Sequence, residues 1–353
     1  MLLPEPEIQE VPKVSGFVNE PQERERHSLK PKTYLVESNA GLEKLHQNGY
    51  AIRPSEDRTL TNILCSNQFY LYLDTLDPRY WKIHSIYYAD QSDNAIDSMV
   101  AHNPNQLDYF WLSSSSLEQI GKDKQGTGFG LSFSDYFSPN KDDKPSLSMR
   151  LWGGNTNSIL KGLRTIPEIK GQISLTNISI DYLTDDGHSN ENIYQNGKLT
   201  ARSGDSIDSH YNLIEKVNVD YKNLIEEIES GYEFEYDYRE FYCSIKGTYS
   251  VINFESDLRN LEKFAENLTS GNEPFRIWGL WKAISEKHIK IKGVDLHTNS
   301  PLELEILPRE IRIFLRKGSC GNIVTRLITN IQTRFHSGSG LIGIDRADII
   351  TAH

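Results

Sequence analysis

The stretch of sequence that decides the fold runs from Arg309 to Phe335 and reads REIRIFLRKGSCGNIVTRLITNIQTRF. Its first part alternates apolar and polar residues, which is typical of a β-strand with one buried face. The small residues of Gly318–Gly321 follow, and apolar residues then recur at spacings of three and four, as in an amphipathic helix. The sequence therefore predicts a strand, a tight loop and a helix in direct succession.

Such a loop suits an anion, because free N–H groups and the positive end of the helix dipole point out of it. Six Lys or Arg residues and one Glu lie between Arg309 and Arg334, whereas the whole chain has a net charge of −11. We expect Arg326 and Arg334 to lie on the outer face of the helix, beside the loop. The predicted phosphate-binding residues are Arg316, Lys317, Gly318, Ser319, Gly321, Asn322, Arg326 and Arg334. The alternative is a tight turn in which Asn322 caps the helix and no ligand binds.

Known phosphate motifs do not fit this loop. A Walker loop needs a Lys-Ser/Thr pair after its glycines, whereas Lys317 precedes the loop. The dinucleotide fingerprint also fails, because only two glycines are present and no acidic residue follows at the required distance. What remains is a general phosphate-binding nest, and we expect no cofactor and no metal.

Composition places the chain among ordinary globular proteins, with 37% hydrophobic and 25% charged residues. No run of about 18 apolar residues occurs, so we expect no membrane span. We expect no secretory signal peptide, because the first residues lack the basic and then apolar pattern of one. Cys65, Cys243 and Cys320 are odd in number and far apart, which favours reduced thiols in a cytoplasmic protein.

Three segments are predicted from length and composition. Residues 1–33 contain five of the fourteen prolines and lack apolar periodicity, which indicates an extended arm. The 353 residues exceed the usual size of one core. We therefore predict an N-terminal α/β domain over residues 34–204 and a C-terminal α/β domain over residues 205–353.

The predicted elements are short strands and short helices, with one long helix. Apolar residues at helical spacing predict that helix over Ser206–Ser230, with Ser206 or Asp205 as its cap. Asn196-Gly197 predicts a hairpin turn in which both residues take a positive φ. The other predicted strands are 67–74, 80–89, 128–133, 147–152, 172–183 and 232–239, and the other predicted helices are 92–101 and 115–121.

The pattern Arg-x-Trp-Gly occurs twice, at Arg150–Gly153 and at Arg276–Gly279. Strands precede and follow each copy, and a helix is predicted directly after each one. The sequence therefore predicts an α/β (α+β) fold of two mixed or antiparallel sheet units, duplicated and ferredoxin-like; chance similarity is the alternative. Because side chains alternate along a strand, each Arg should share a face with its Trp. That pair either stacks on a nucleic-acid base or forms an internal cation–π contact, which we favour.

Candidate catalytic residues are few. Cys320 lies where the helix dipole and Lys317 would activate a thiol, but the sequence assigns it no partner base. Asp295 and His297, followed by Glu303 and Glu305, resemble part of a metal-dependent nuclease core but lack its lysine.

Three functions remain open. The first is a non-enzymatic binding subunit that holds phosphate groups, above all of nucleic acid, through the strand-loop-helix. The second is a scaffold subunit that binds a protein partner through its acidic surface and its arm. The third is an enzyme centred on Cys320 or on Asp295 and His297.

Overall fold

The protein is a mixed α/β molecule made mostly of sheet. The computed structural model describes residues 30–55, 59–65, 69–134, 146–169, 171–258, 260–343 and 348–350. The helices in these residues are α1 Leu42–Gln47, α2 Ala89–His102, α3 Ser114–Gly121, α4 Thr156–Arg164, α5 Ile207–Gly231, α6 Leu261–Leu268 and α7 Asn322–Arg334. None of them combines the length and the apolar character that crossing a bilayer requires.

The strands fall into two sheets. Those of the first sheet are β1 Lys32–Ser38, β2 Ala51–Pro54, β3 Leu60–Leu64, β4 Tyr70–Asp74, β5 Tyr80–Ser85, β6 Leu107–Tyr109, β7 Gln125–Ser134, β8 Ser146–Trp152, β9 Leu175–Thr184, β10 Gly187–Tyr194 and β11 Lys198–Gly204. Those of the second sheet are β12 Glu233–Tyr238, β13 Cys243–Gly247, β14 Ser250–Asn253, β15 Ile277–Ser285, β16 His288–Asp295, β17 Pro301–Leu307, β18 Glu310–Arg316, β19 Gly340–Gly343 and β20 Asp348–Ile350.

The first sheet is antiparallel throughout, in the order β2-β3-β4-β5-β1-β11-β10-β9-β7-β8. Strand β1 lies in its middle and pairs with β5, β11 and β6. All seven residues of β1 are buried, including the charged side chains of Lys32 and Glu37. A carboxylate in the centre of a sheet needs partners nearby, and those of Glu37 form the site described below.

The second sheet has the order β15-β16-β17-β18-β14-β19-β20, with β12 added beside β18. Only the β12–β18 pairing is parallel. One face carries Leu302, Leu304 and Ile306 of β17 into a core with α6 and α7. The opposite face carries Glu303 and Glu305, as period-two alternation requires.

Helices α5 and α7 connect the two sheets. On α5, Ile214 and Val217 belong to the core of the first sheet, and Ile228 belongs to the core of the second. On α7, Leu327 packs in the second core, while the Gln332 side chain accepts a hydrogen bond from the Ser114 N–H at 3.0 Å. Residues of the two sheets therefore meet along α7, where the candidate site lies.

The predicted mixed α/β architecture with antiparallel sheets is confirmed, whereas a ferredoxin-like duplication is not. In the first sheet, β8 leads into helix α4 before β9. In the second sheet, β15 turns directly back into β16, so the helix predicted there is absent from the described residues. The two Arg-x-Trp-Gly copies also differ, because Arg150 is exposed on β8 while Arg276 precedes β15 with φ of +55° and is buried.

Several predicted elements are confirmed. Helix α5 begins after Ser206, whose side chain accepts a hydrogen bond from the Asp208 N–H. The Asn196-Gly197 turn joins β10 to β11 as predicted, but the expectation that both residues take a positive φ is wrong, because Gly197 alone does, with φ of +75°. The predicted arm lies outside the described residues except for positions 30–33, and β1 already begins at Lys32. The predicted domain boundary at residue 204 stays a prediction.

Candidate functional site

Three chemically reactive side chains from distant parts of the chain meet where the two sheets adjoin. Glu37 lies on β1, His297 lies in the turn between β16 and β17, and Cys320 lies in the loop between β18 and α7. One ligand-type atom of each residue lies within 4.8 Å of the corresponding atoms of the other two. We call these three residues the central cluster.

The Cys320 thiol is the most accessible member of the central cluster, with 9% of its surface exposed. Its Sγ donates a hydrogen bond to Glu37 Oε1 at 3.0 Å. Burial raises the pKa of the thiol well above its ordinary value, and the Glu37 charge raises it further, while Arg79 acts in the opposite direction. Cys320 therefore holds its proton at neutral pH, contrary to the activated thiolate that the sequence suggested.

The His297 side chain is fully buried, and neither ring nitrogen has a hydrogen-bond partner among the described residues. Burial lowers the pKa of the imidazole, which keeps it neutral. Its main chain is fixed at both ends, because the His297 N–H donates to Asp295 Oδ2 at 3.2 Å and its carbonyl accepts from Asn39 Nδ2 at 2.6 Å. A neutral imidazole held in place with two free nitrogens is suited to accept a proton or to ligate a metal.

Arg79, in the loop before β5, fixes the Glu37 carboxylate. Its Nε donates to Glu37 Oε1 at 2.7 Å, and its two Nη atoms donate to the two carboxylate oxygens of Glu229 on α5 at 2.9 and 2.5 Å. Arg79 Nη2 also lies 3.5 Å from Cys320 Sγ. The second oxygen of Glu37, Oε2, is buried and has no hydrogen-bond partner among the described residues.

Two members of the central cluster, Glu37 and Cys320, line a cleft of about 1040 Å³. Glu37, Arg79, Cys320 and Thr298 are among the residues that line it. A second cavity, of about 940 Å³, lies between α3, α4, α5 and β9, and core side chains such as Leu117 make up much of its wall. Catalytic sites combine a pocket with convergent reactive groups. Of the two cavities, the cleft is the one lined by members of the central cluster, Glu37 and Cys320.

The predicted phosphate loop is present, but its N–H groups bind carboxylates of the protein itself. Gly318–Gly321 does join strand β18 to helix α7. The Gly318 N–H donates to Glu233 Oε2 at 2.9 Å, and the Gly321 N–H donates to Glu229 Oε1 at 2.7 Å. Ser319 is buried, and its N–H donates to the Arg316 carbonyl at 2.9 Å.

The expectation that Arg326 lies on the outer face of its helix is wrong. Its side chain is fully buried and forms ion pairs with Asp108 of β6 and Asp295 of β16. Asn322 is also fully buried, and its Nδ2 donates to the Tyr109 carbonyl and to the Tyr221 hydroxyl, each at 3.0 Å. Helix α7 lies between two sheets. The polar side of the helix, which periodicity identifies, therefore contacts protein instead of solvent.

The other predicted phosphate-binding cations lie nearer the surface. Lys317 is 70% exposed and lies 3.3 Å from a carboxylate oxygen of Glu235, while exposed Arg316 lies over the Tyr236 ring. Arg334 is half-buried. Binding of nucleic acid or phosphate at this loop stays a prediction.

The nuclease-like arrangement of acidic residues is not assembled. Asp295 lies on the buried face of the second sheet, and its Oδ2 accepts hydrogen bonds from His297 and Thr298. Glu303 and Glu305 lie on the opposite face, where Glu305 pairs with Lys290. Asp295 therefore positions the turn that carries His297.

Glu37 and Arg79 are the site residues that sequence reasoning missed. Glu37 lies on β1 and Arg79 in the loop before β5, about 240 residues or more before Cys320, so no local spacing links them to it. The sequence contained one signal of the site. Glu37 directly follows the apolar run Tyr34–Val36, near the end of a strand that is otherwise suited to burial.

Fold and site together define a two-sheet α/β protein in which a thiol and a carboxylate line a cleft and an imidazole is buried beside them. The chain belongs to the MJECL33-like protein family, whose model matches residues 13–350. It is 28% identical over 350 residues to the uncharacterized protein MJECL33 of Methanocaldococcus jannaschii, with 87% of this chain and 84% of that protein covered. No solved structure matches the chain.

Proposed function

We propose that the protein is an enzyme that acts on a small polar molecule bound in the interface cleft, and that Glu37, His297 and Cys320 form its active centre. The observation that carries the proposal is the fully buried His297 ring, whose two nitrogens have no hydrogen-bond partner among the described residues and one of which lies within 4.8 Å of ligand atoms of a thiol and a carboxylate. An unpartnered buried polar group destabilises the fold, so its presence calls for an explanation such as a catalytic role or a bound ion.

The surroundings of the central cluster support a catalytic role. Glu37 and Cys320 line the cleft, which is large enough for a small-molecule substrate. Arg79 and Asp295 are structural partners that fix the carboxylate and the turn of His297, as a preorganised site requires. Asn39 and Ser300 add polar groups to the cleft wall, which favours a polar substrate over an apolar one.

The test is a comparison of turnover in a mixture of cellular metabolites. The wild-type chain and Cys320→Ser are incubated with a small-molecule extract, and mass spectrometry follows which compounds are consumed. Serine keeps the hydrogen bond to Glu37, so the variant should fold. We expect at least one compound that the wild type consumes and that Cys320→Ser consumes at least about 100-fold more slowly.

Cys243→Ser is the matched control, because Cys243 is exposed on β13 in the second sheet. It should consume the same compound at the wild-type rate. The proposal fails when Cys320→Ser and wild type turn over the same compounds at equal rates, or when folded wild type turns over none.

A partner protein is a second candidate function, favoured by one specific surface. The β12–β13 hairpin exposes three aromatic side chains, with Tyr238 at 75%, Phe241 at 92% and Tyr242 at 64% exposure. Exposed aromatic groups are enriched at protein interfaces. Cross-linking of the tagged chain in cells should yield one partner protein, and Phe241→Ser should lose it. Leu183→Ser is the control, because Leu183 on β9 is 78% exposed, and this variant should retain the partner.

A further inference from the structure

The buried imidazole of His297 indicates that the central cluster receives a ligand. In either neutral tautomer one ring nitrogen is a donor and the other an acceptor. Neither finds a partner among the described residues, although the ring is fully buried. Glu37 Oε2, also buried, lacks a partner in the same way. Two side chains of one cluster therefore have buried polar atoms without a hydrogen-bond partner among the described residues.

We propose that Glu37, His297 and Cys320 bind one zinc ion, and this inference rests on the active centre proposed above. Zinc binding breaks the Cys320 S–H bond and releases the proton to solvent, so the donor set is one thiolate sulfur, one imidazole nitrogen and one carboxylate oxygen. Zinc accepts all three donor types in tetrahedral sites, whereas magnesium and calcium prefer sites made of oxygen alone.

The distances are close to those that zinc requires. Zinc–ligand bonds of about 2.0–2.3 Å at tetrahedral angles separate the ligand atoms by roughly 3.4–3.7 Å. The thiol and the Glu37 carboxylate are already 3.0 Å apart, and all three donor atoms lie within 4.8 Å of one another. Small side-chain rotations would bring the set to bonding distance, since the backbone of the three residues is held by a strand, a turn and the loop before α7.

The local charge also favours a divalent cation. Glu37 and Glu229 are carboxylates, Arg79 is the cation that pairs with both, and a thiolate at Cys320 would leave this group with a net charge of −2. The neighbouring ions Arg326, Arg276, Asp108 and Asp295 balance among themselves. One zinc ion would neutralise this excess of two negative charges.

Three protein ligands leave the fourth position of a tetrahedral zinc ion open. Structural zinc sites are closed by four protein ligands, whereas catalytic sites keep one position for water or substrate. Because Glu37 and Cys320 line the cleft, the open position faces the volume in which a substrate would lie. Within the proposed enzyme, zinc would polarise a substrate oxygen or a bound water.

The experiment uses the full chain, stripped with a chelator and titrated with Zn²⁺ and with Co²⁺. Calorimetry gives the stoichiometry, and the near-ultraviolet charge-transfer band of Co²⁺ reports a bound thiolate. We expect one metal ion per chain and a charge-transfer band that Cys320→Ser abolishes and Cys243→Ser retains. His297→Gln should weaken Zn²⁺ affinity by more than the roughly 10–100-fold that loss of an outer partner costs.

The inference is overturned when the wild-type chain binds no Zn²⁺, or when the charge-transfer band persists in Cys320→Ser. These results are separable from those for the proposed enzyme. Turnover that depends on Cys320 in the metal-free chain would support the proposed enzyme and exclude the zinc site. Zinc binding at the central cluster of a chain that shows no turnover would support the metal site and exclude the proposed enzyme.

Discussion

Arg326 on α7 and Asp295 at the end of β16 form an ion pair in which both side chains are fully buried. Asp108 of the first sheet pairs with the same guanidinium, and Arg326 Nε donates to the Phe275 carbonyl at 2.9 Å. One arginine thus ties a helix to both sheets and, through Asp295, to the turn that holds His297.

Replacement of Arg326 by Ala should lower the free energy of unfolding by about 3–5 kcal/mol, because it leaves Asp108 and Asp295 buried without their shared cation. Lys317→Ala should cost less than about 1 kcal/mol, because its pairing with Glu235 is exposed. Chemical unfolding measures both. Equal losses for the two variants would show that the Arg326 ion pairs contribute nothing.

Binding of a single-stranded oligonucleotide should depend only weakly on salt. Of the predicted cations, Arg316 and Lys317 are exposed, whereas Arg326 is buried. Two phosphate contacts give a slope of about −1.4 for log affinity against log salt concentration. Fluorescence anisotropy at several salt concentrations measures that slope, and a value of about −2.8 or steeper, which corresponds to contacts by all four predicted cations, would contradict the buried position of Arg326.

Stability should fall as pH drops from about 6.5 to about 4, in part because of His84 on β5. Burial lowers the pKa of His84 to about 4, and its Nδ1 lies 2.9 Å from the Thr33 hydroxyl. Between the two pKa values the unfolded chain binds a proton that the folded chain does not, so stability is fully present above about 6.5 and is lost on acidification. His84→Gln should flatten this dependence in thermal unfolding at several pH values. Parallel pH curves for the two proteins would exclude His84 as the cause.

The three cysteines should react with an alkylating reagent in a fixed order. Cys243 is exposed, whereas Cys65 has its pKa raised to about 11 by burial, and burial also raises that of Cys320. Because the thiolate is the reactive form, Cys243 should be modified first at neutral pH. Peptide mass spectrometry over time gives the order, and modification of Cys320 as fast as Cys243 would contradict the geometry of the cluster.

Gly197 should tolerate alanine less well than Gly318, although both have a positive φ, of +75° and +83°. A Cβ at Gly197 would lie 2.8 Å from the Phe110 Cβ and 2.9 Å from the Leu35 carbonyl oxygen, whereas one at Gly318 meets nothing within 4 Å. Gly318→Ala should cost about 1 kcal/mol through backbone strain alone. Gly197→Ala should cost at least about 2 kcal/mol more, since the Leu35 backbone must move. Unfolding of the two variants in denaturant compares them, and equal costs would show that the Gly197 turn shifts freely.

Elements with a strong local signal could be read from the sequence. Helix α5 follows from its apolar periodicity and its Ser206 cap, and the β10–β11 hairpin follows from Asn196-Gly197. The hairpin of β15 and β16 was misread as a helix between two strands, because a short segment with a weak pattern is decided by its partner strand.

The sequence by itself determined the mixed α/β class and the strand-loop-helix around Gly318–Gly321, because these depend on contacts within a few residues. Only the tertiary structure decided that Glu229 and Glu233 occupy the N–H groups of that loop and that Arg326 is buried. It alone brought Glu37 and His297 to Cys320. Periodicity shows which residues share a face but not what covers that face, and the partners that cover α7 come from both sheets of the fold.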